Sequence, residues 1–566
     1  MSANSSDTRR QTEAGNRLYD IIESEWNWRG GEFGSSGWKS GVRDSLPDVS
    51  VTAQDRRTRK WEDTLTQLDT VDVPGLSTEE LVDYQVYRNQ VQTLLEAQQY
   101  RMFERPATAD TAFWRDLAFD AYRLALADAD QAQAYLQMLG QIPRYFAQQI
   151  DNMRAGLQRG FGPARVCMTG REEPVRSVAQ TSDVKSLPFF GPFTRMPTAT
   201  AATVVAELQD RAVSVLTELV VPAYQGLYEF LSGEYLPQLP ESIAAVDQPD
   251  GPQFYRSQIR EYATTEMDPQ QIFDLGLSEV AKIRAEMDKI AGELGYAGDL
   301  DGLFAFMRTD PQFYATTPRQ LLAEAAYTCK AFDGVVHRYF GKLPNGRFSI
   351  METPKEIAAF DTFGRGAPDR YLVNTYNLPA RPLYSLPALT LHESAPGHSF
   401  QLSLAQEMDL PEFRREYISA FGEGWGLYTE RLGDEMGMYE TPYERMGMLS
   451  FQMWRAVRLV VDPGMHELGW TREQAQDYLR ENTAIAEHEI VTEIDRYISW
   501  PGQATAYYLG QLTIQDLRAE AEAALGPAFD IRAFHDQVLS LGSVPLTVLQ
   551  SEVRRWIAEE SEVISG

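Results

Sequence analysis

Cysteine is scarce in this chain of 566 residues, which contains only Cys167 and Cys329 and no CxxC spacing. A disulfide framework and a cysteine-rich metal site are therefore excluded, and a reducing compartment fits. No apolar run approaches the roughly 18 residues that a membrane helix needs. The polar start of the chain also predicts no secretory signal. These features predict a cytoplasmic protein without a membrane partner.

Basic residues are few relative to acidic ones: 52 Lys and Arg stand against 81 Asp and Glu, giving a net charge of -29. Such a surface repels phosphate backbones, which argues against nucleic acid as a partner. With 43% hydrophobic residues, the composition is that of a globular protein, and the length allows several domains. The sequence leaves the oligomeric state open.

Helical patterning dominates the first half of the chain. Ser77 and Glu80 have the spacing of a capping box just before an apolar stripe, which predicts a helix start. Pro143 lies inside the helix predicted at 131–157 and should bend or split it. Two Gly/Pro/aromatic stretches, 26–34 and 186–197, lack a period and are predicted to be ordered loops. Apolar residues at three-to-four spacing predict helices at 79–103, 113–126 and 131–157.

A segment rich in proline and acidic residues, 236–252, predicts a domain boundary. The domains expected on either side are a helical N-terminal region, 1–250, and a catalytic region, 251–566. Asp268 and Pro269 have the chemistry of a helix start. Two β-like runs follow at 347–351 and 371–376, and the second is predicted to be an edge strand that could align an extended peptide. The expected fold is mainly α with a small β-sheet.

The most informative stretch is LHESAPGHSFQ, in which His392, Glu393 and His398 lie within seven residues. On a regular helix, six residues turn about 600°, so the two imidazoles would stand about 240° apart. Pro396 and Gly397 could break the helix and bring both rings to one face. Two imidazoles and a carboxylate then suit a zinc site with Glu393 as general base. The alternative is a capped helix end with two exposed histidines.

A second piece of the site is FGEGWGLYTE. Zinc hydrolases commonly use two histidines and one glutamate, which makes Glu423 a candidate third ligand. The glycines around it would let another backbone approach closely. Glu430, seven positions later, faces the same way and could orient a ligand histidine. The alternative is a glycine-rich helix crossing with both acids in solvent.

Two later stretches offer further polar groups. VDPGMH places His466 near a turn, and RYISWPGQATAY contains Arg496, Gln503 and Tyr507. A tyrosine hydroxyl can stabilise an oxyanion and an arginine can bind a carboxylate through two hydrogen bonds. Each residue could equally be packed in the core. Asn374, in the second β-like run, is a further candidate for substrate binding, whereas three histidines are predicted to be structural: His337, His488 and His535.

HExxPGHxxQ, EGWxxYxE, VDxGxH and RYxxWPGQAxxY, in this order, resemble the bacterial domain-of-unknown-function family 885, which is similar to gluzincin-type zinc peptidases. The resemblance covers most of the chain and is most specific from about residue 345 onward. It implies a zincin-like catalytic region with a large helical N-terminal part. It also implies that His392, His398 and Glu423 bind the metal and that Glu393 is the base. It draws attention as well to His466, Arg496, Gln503 and Tyr507.

These observations predict a metallopeptidase that cleaves short peptides with one Zn²⁺ per chain, although other divalent metals could bind. Glu393 would take a proton from the attacking water and pass it to the leaving amine. A helical N-terminal half closing over the site would favour small peptides. Two alternatives remain open: a zinc hydrolase of non-peptide amides or esters, and a metal-free helical binding protein with a vestigial site.

Overall fold

A computed structural model describes residues 9–33, 42–358, 362–483, 485 and 487–565. By its internal contacts the chain forms two compact units. One contains Arg9–Phe254 with Ile498–Trp500, and the other contains Tyr255–Tyr497 and Pro501–Gly566. The chain passes from the first to the second within the helix Gly251–Ala263.

The first unit is built from helices around an aromatic-rich core. The predicted capping box is present, with Ser77 accepting from the Glu80 amide and Glu80 accepting from the Ser77 amide. Pro143 stands in the first turn of a new helix, so the predicted helix 131–157 is split in two. The α-helices are Glu13–Glu32, Val51–Leu68, Thr78–Gln99, Phe113–Arg123, Ala129–Leu139, Ile142–Arg159, Arg165–Met168, Glu173–Ala179, Gly191–Thr194, Ala202–Val215, Val221–Phe230 and Leu236–Gln238, with π-helical turns at Leu216–Val220 and Leu231–Tyr235.

Both loop predictions in this unit need correction. Residues 26–32 continue the helix Glu13–Glu32, which Thr12 caps by accepting from the Gly15 amide; Gly34 lies outside the described residues. Within 186–197 the chain forms short helical turns, Pro188–Phe190 and Gly191–Thr194. In the helix Glu13–Glu32, the cap and the packing of the preceding turns outweigh the low helix propensity of the two glycines near its end.

The second unit contains the predicted site and is also mainly helical. Asp268 caps its first long helix, as its sequence predicts, and Pro269 stands at the first helical position. We number only the helices used below: α1 (Leu386–Glu393), α2 (His398–Glu407), α3 (Ser419–Glu435), α4 (Pro442–His466), α5 (Glu487–Ser499) and α6 (Ala506–Leu525). The others are Pro269–Glu293, Leu300–Thr309, Pro318–Val335, Lys355–Ala358, Arg472–Asn482, Ile531–Ser540 and Leu546–Ser565.

Close helix crossings in this unit occur at glycines. A Cβ on Gly424 of α3 would lie 2.5 Å from the backbone of Gly510 in α6. A Cβ on Gly276 would lie 2.7 Å from Cβ of Leu459 in α4. Because neither position has room for a side chain, α3 is held tightly against α6, and Pro269–Glu293 against α4. These contacts fix α3, α4 and α6, which carry four residues of the predicted site: Glu423, Glu430, His466 and Tyr507.

A small sheet precedes the site. It contains β1 (Ser349–Glu352), β2 (Gly364–Ala367) and β3 (Arg370–Val373) in the order β1-β3-β2. β3 pairs parallel with β1 and antiparallel with β2, with Gly366 opposite Tyr371. The prediction of an edge strand at 371–376 is therefore wrong, because residues 371–373 lie in β3, the central strand. β2, which the sequence did not predict, is an edge.

The expected fold class, mainly α with a small β-sheet, is confirmed. The strands at 349–352 and 370–373 overlap the two β-like runs. Among the described residues, no helix has both the length and the apolarity required to cross a membrane.

Candidate functional site

The predicted helix break is present between the two histidines. α1 ends at Glu393 and α2 begins at His398. The Gly397 amide donates to the carbonyl of Leu391 at 2.9 Å, which closes a turn wider than a helical one. A Cβ on Gly397 would lie 1.9 Å from the His392 carbonyl oxygen, so no other residue fits there. The break brings the two imidazole centroids to 4.7 Å, with the rings perpendicular.

Glu423, in the second turn of α3, faces both imidazoles. Its Oε2 lies 3.4 Å from Nε2 of His392 and 3.6 Å from Nε2 of His398. One donor atom from each of the three residues lies within 4.8 Å of the others. Both histidines are buried, and they point the nitrogen that commonly binds metals toward a single carboxylate. The three side chains therefore form a donor set that could hold one metal ion.

Glu430 forms a hydrogen bond with the first histidine. Its Oε1 lies 2.8 Å from Nδ1 of His392, and the carboxylate is completely buried. Gln452 of α4 reaches the other oxygen, Oε2, at 3.5 Å. An ionised Glu430 can only accept, so Nδ1 carries a proton, and Nε2 is the nitrogen that would bind a metal.

Glycine also explains how α3 approaches His392. A Cβ on Gly426 would lie 2.7 Å from Cε1 of the His392 ring. Gly426 thus provides the space for the imidazole, while Gly424 provides the space for α6. The pattern of glycines around Glu423 is a packing requirement of the site.

The charges of this cluster depend on one another. Burial alone would lower the pKa of His392, but hydrogen bonds with Glu423 and Glu430 raise it to about 10. Burial alone would raise the pKa of Glu423, but hydrogen bonds from His392 and His398 hold it well below its usual value. Glu423 is therefore ionised, which is the state that binds a cation.

Glu393, the predicted base, lies at the end of α1 beside β2. Its Oε2 accepts the Gly366 amide at 2.7 Å. A Cβ on Gly366 would lie 2.0 Å from the Glu393 carbonyl oxygen and 2.8 Å from Cβ of His398. Among the described residues, no hydrogen bond engages Oε1 of Glu393. One oxygen is thus held by the edge strand, and the other is available for a proton.

Tyr417 belongs to this cluster and was missed by the sequence analysis. Its hydroxyl donates to Oε1 of Glu423 at 3.0 Å, and its ring centroid lies 6.3 Å from that of His398. The residue is 47% exposed. Desolvation of the hydroxyl and the negative charge of Glu423 raise the pKa of Tyr417 well above its usual value. A Cβ on Gly422 would lie 2.3 Å from its ring, the only local signal of this contact.

Tyr507 lies in the first turn of α6, close enough to Glu423 for their charges to interact. Burial raises the pKa of Tyr507, Glu423 raises it further, and Arg496 and Arg458 lower it. Gln503 hydrogen-bonds the Tyr507 hydroxyl, and its Oε1 accepts from Nη1 of Arg496 at 2.6 Å. The fold thus brings Tyr507 near the histidine cluster, although the two are far apart in sequence.

Arg496 is already paired. Its Nε and Nη2 donate to the carboxylate of Glu493 at 3.3 and 3.0 Å, in addition to the bond with Gln503. The guanidinium predicted to bind substrate therefore positions Gln503 and, through it, Tyr507. Substrate binding by Gln503 and Arg496 stays a prediction.

His466 and Asn374 are placed in other surroundings. Nε2 of His466 lies 3.0 Å from the Tyr497 carbonyl oxygen, and its ring packs on Tyr255 at 5.3 Å. The Asn374 amide is fully buried, donating to the carbonyls of Ala358 and Thr362 and accepting the Tyr376 amide. The catalytic role predicted for His466 and the substrate-binding role predicted for Asn374 receive no support from these contacts.

The VDPGMH motif has a packing function instead. Asp462 accepts the Tyr255 hydroxyl at 2.6 Å and the Gly502 amide at 3.0 Å. Gly502 has a positive φ of 80°, which favours glycine, and this turn precedes α6. Burial raises the pKa of Asp462 to about 7 against the opposing hydrogen bonds of Tyr255 and Gly502. The motif therefore anchors the turn from which Tyr507 follows.

The comparison with protein families agrees with the motifs. The model for DUF885, bacterial proteins of unknown function, matches residues 32–553. The chain belongs to DUF885. No curated protein shows significant similarity to it.

Two solved structures share the fold of this DUF885 protein. A provisionally assigned lipoprotein from Colwellia psychrerythraea is 26% identical with a TM-score of 0.86, covering 98% of this chain and 100% of its own. A provisionally assigned lipoprotein of unknown function from Shewanella oneidensis is 16% identical with a TM-score of 0.68, covering 95% and 99%. A carboxypeptidase from Pyrococcus furiosus reaches a TM-score of only 0.34 at 11% identity, covering 90% and 98%, too low to indicate a shared fold. Cytoplasmic location stays a prediction.

We predict that Glu430→Gln weakens zinc binding by this DUF885 protein by about 10- to 100-fold, because the amide no longer polarises His392. Competition with a chromophoric chelator measures the affinity. Glu435→Gln, on the same helix but paired with Arg518, is the matched control and should bind zinc as the wild type does. His398→Ala should lose stoichiometric binding. Wild-type affinity in Glu430→Gln would show that the bond to His392 does not tune the site.

Proposed function

We propose that this DUF885 protein is a zinc-dependent hydrolase that cleaves amide bonds in short peptides. The observation that carries the proposal is the donor set of His392, His398 and Glu423 within 4.8 Å, with His392 oriented by Glu430. Two histidines and one glutamate are a common ligand set of hydrolytic zinc sites, which keep one coordination position open. The resemblance to gluzincin-type zinc peptidases rests on the sequence motifs that contain these residues.

His392, His398 and Glu423 would hold the ion through Nε2, Nε2 and a carboxylate oxygen. When bound, the ion would supply Lewis acidity to a substrate carbonyl and increase the acidity of water. Zinc is favoured by the two imidazoles, although manganese, cobalt and iron also accept such ligands. Tyr417 would fix the carboxylate of Glu423 through its bond to Oε1.

Glu393 supplies the acid–base chemistry in this proposal. Oε1 would accept a proton from the attacking water and then transfer it to the leaving amine nitrogen. Gly366 holds Oε2 at 2.7 Å and so keeps the carboxylate in one orientation for both transfers. This bond also ties the base to the edge strand of the sheet.

Substrate alignment would use β2 in place of the strand predicted from the sequence. β2 is an edge strand and runs beside Glu393 and His398 at Gly366. Edge strands bind extended peptides through main-chain hydrogen bonds. An extended peptide on β2 would therefore pass next to the proposed base and metal, which favours peptides over other amides.

Tyr507 would stabilise the oxyanion of the tetrahedral intermediate. Burial and the charge of Glu423 raise the pKa of Tyr507, so its hydroxyl keeps the proton that a donor needs. Gln503, which is itself held by Arg496, keeps the Tyr507 hydroxyl in place. Its contribution would be made mainly in the transition state.

We predict that Glu393→Gln retains zinc but lowers kcat by about 10²- to 10⁴-fold, because an amide cannot accept the proton. Turnover of a mixed peptide library with measured zinc content tests this. Glu407→Gln, a carboxylate of α2 that binds the Asn345 and Gly346 amides, should retain activity. Turnover within a few-fold of wild type in Glu393→Gln would remove Glu393 from the mechanism.

We also predict that Tyr507→Phe lowers kcat by about 10²- to 10³-fold with little change in KM, because one oxyanion donor is lost. The matched control is Tyr508→Phe in the next position, where the hydroxyl donates to Glu279 at 3.2 Å. That change should lower thermal stability and leave kcat unchanged. If Tyr507→Phe is destabilised but turns over normally, the residue serves packing only.

A further inference from the structure

Two arginines lie beside Tyr507, and a third lies three residues earlier on the helix of one of them, over the same tryptophan ring. Arg455 and Arg458 come from α4, and Arg496 comes from α5. Glu493 is ion-paired with Arg458 at 3.3 Å and Arg496 at 3.0 Å. In the described part of the chain, no carboxylate forms an ion pair with Arg455. The cluster therefore carries more positive than negative charge.

Arg455 is the least satisfied of the three. It is only 7% exposed, and its one hydrogen bond to the described residues is a long one of 3.4 Å from Nη1 to the Phe451 carbonyl. Its Cζ lies over the rings of Phe451 and Trp454 at 4.8 and 4.6 Å. Nε is buried without a hydrogen-bond partner among the residues that the structure describes. Burying a cation without a counter-ion is costly, so this one is suited to receive an anion.

Arg458 adds a second unused donor. It is 3% exposed, its Nε donates to the Tyr497 hydroxyl at 2.8 Å, and its Nη2 faces Glu493. Nη1 is buried without a partner among the described residues. The Arg458 guanidinium also packs against Trp454 and Tyr507. Its Cζ lies 4.9 and 4.6 Å from their ring centroids. Trp454 is thus shared with Arg455.

The cluster is separated from the proposed metal centre by a single residue. Tyr507 contacts Arg458 directly. The charge of Glu423 raises the pKa of its hydroxyl, and the charge of Arg458 lowers it. Tyr417, which bonds to Glu423, also interacts electrostatically with Tyr507. A short peptide with its scissile carbonyl near Tyr507 would have its end within reach of the arginines.

We infer that Arg455, together with Nη1 of Arg458, binds the terminal carboxylate of a short peptide substrate. Guanidinium groups match carboxylates in shape and charge, and the bond is strengthened by low surrounding polarity. A carboxylate would also supply the negative charge that the cluster lacks. The inference rests on the proposed peptidase function and specifies its substrate: a peptide with a free carboxyl end, from which residues at that end are released.

The test measures binding, so it does not depend on turnover. In the full-length, zinc-loaded Glu393→Gln protein, calorimetry gives dissociation constants for N-acetyl-Ala-Ala-Phe and for its C-terminal amide. We expect the acid to bind more tightly, and Arg455→Met to weaken the acid by about 10- to 100-fold. The amide should change by less than about threefold, since it lacks the charge that the guanidinium binds. Arg455→Lys should recover part of the loss.

Arg445→Met is the matched control, because Arg445 lies on the same helix but is paired with Glu293 at the surface. It should bind both ligands as the parent does. A third ligand, N-acetyl-Ala-Glu-Phe amide, separates the two sources of a carboxylate. Arg455-dependent binding of this ligand would overturn the assignment to the terminal carboxylate, because a side-chain carboxylate would then be the anion that Arg455 binds.

Equal affinity for acid and amide in the parent would overturn the inference. So would undiminished preference for the acid in Arg455→Met, because the carboxylate would then bind elsewhere, including at zinc. Thermal unfolding of each variant confirms that the comparison concerns folded protein. Arg455-dependent binding without any turnover by wild-type protein would contradict the proposed function while leaving the carboxylate subsite in place.

Discussion

The interruption between α1 and α2 is the constraint on which the site depends. In an unbroken helix, a six-residue separation turns the two imidazoles about 240° apart, and no single ion could bind both. The amide of Gly397 instead bonds to the Leu391 carbonyl, and His398 opens a new helix. The two Nε2 atoms then meet the same oxygen of Glu423. A side chain at Gly397 would collide with the His392 carbonyl, so the residue type follows from the geometry.

The remaining parts of the site are held in place relative to that break. Glu430 fixes the His392 ring, and Gly426 gives the ring its space. The glycine contact between α3 and α6 sets the position of Tyr507. Gly366 of β2 binds the proposed base from the opposite direction. The metal-donor candidates, the proposed base and the proposed substrate edge therefore come from four separate segments joined by short backbone contacts.

Much of this arrangement could be predicted because its signals are local. The ligand types, the Pro-Gly break and the seven-residue step from Glu423 to Glu430 are all readable in the sequence. The same is true of the helix caps at Ser77 and Asp268.

The errors concern features that depend on tertiary contacts. β2 has the sequence GRGA, which lacks the β-branched and aromatic residues typical of strands, and it exists through pairing with β3. Tyr417 was missed because its partner, Glu423, lies across a helix start, and the glycine at 422 was the one local sign of the contact. Residues 26–32 contain two glycines that disfavour a helix in isolation. The roles predicted for His466 and Asn374 stay predictions, and both side chains bind buried backbone carbonyls. Which polar residue reaches a site is decided by packing.

Direct observation of the ion in crystals is the measurement closest to the central claim. Anomalous diffraction at the zinc absorption edge would locate zinc in crystals of the wild-type protein. The account predicts one strong peak at about 2.0–2.2 Å from Nε2 of His392, Nε2 of His398 and a carboxylate oxygen of Glu423. A zinc-saturated crystal with no peak there, or with the ion bound through Nδ1 of His392 in place of the Glu430 bond, would contradict it.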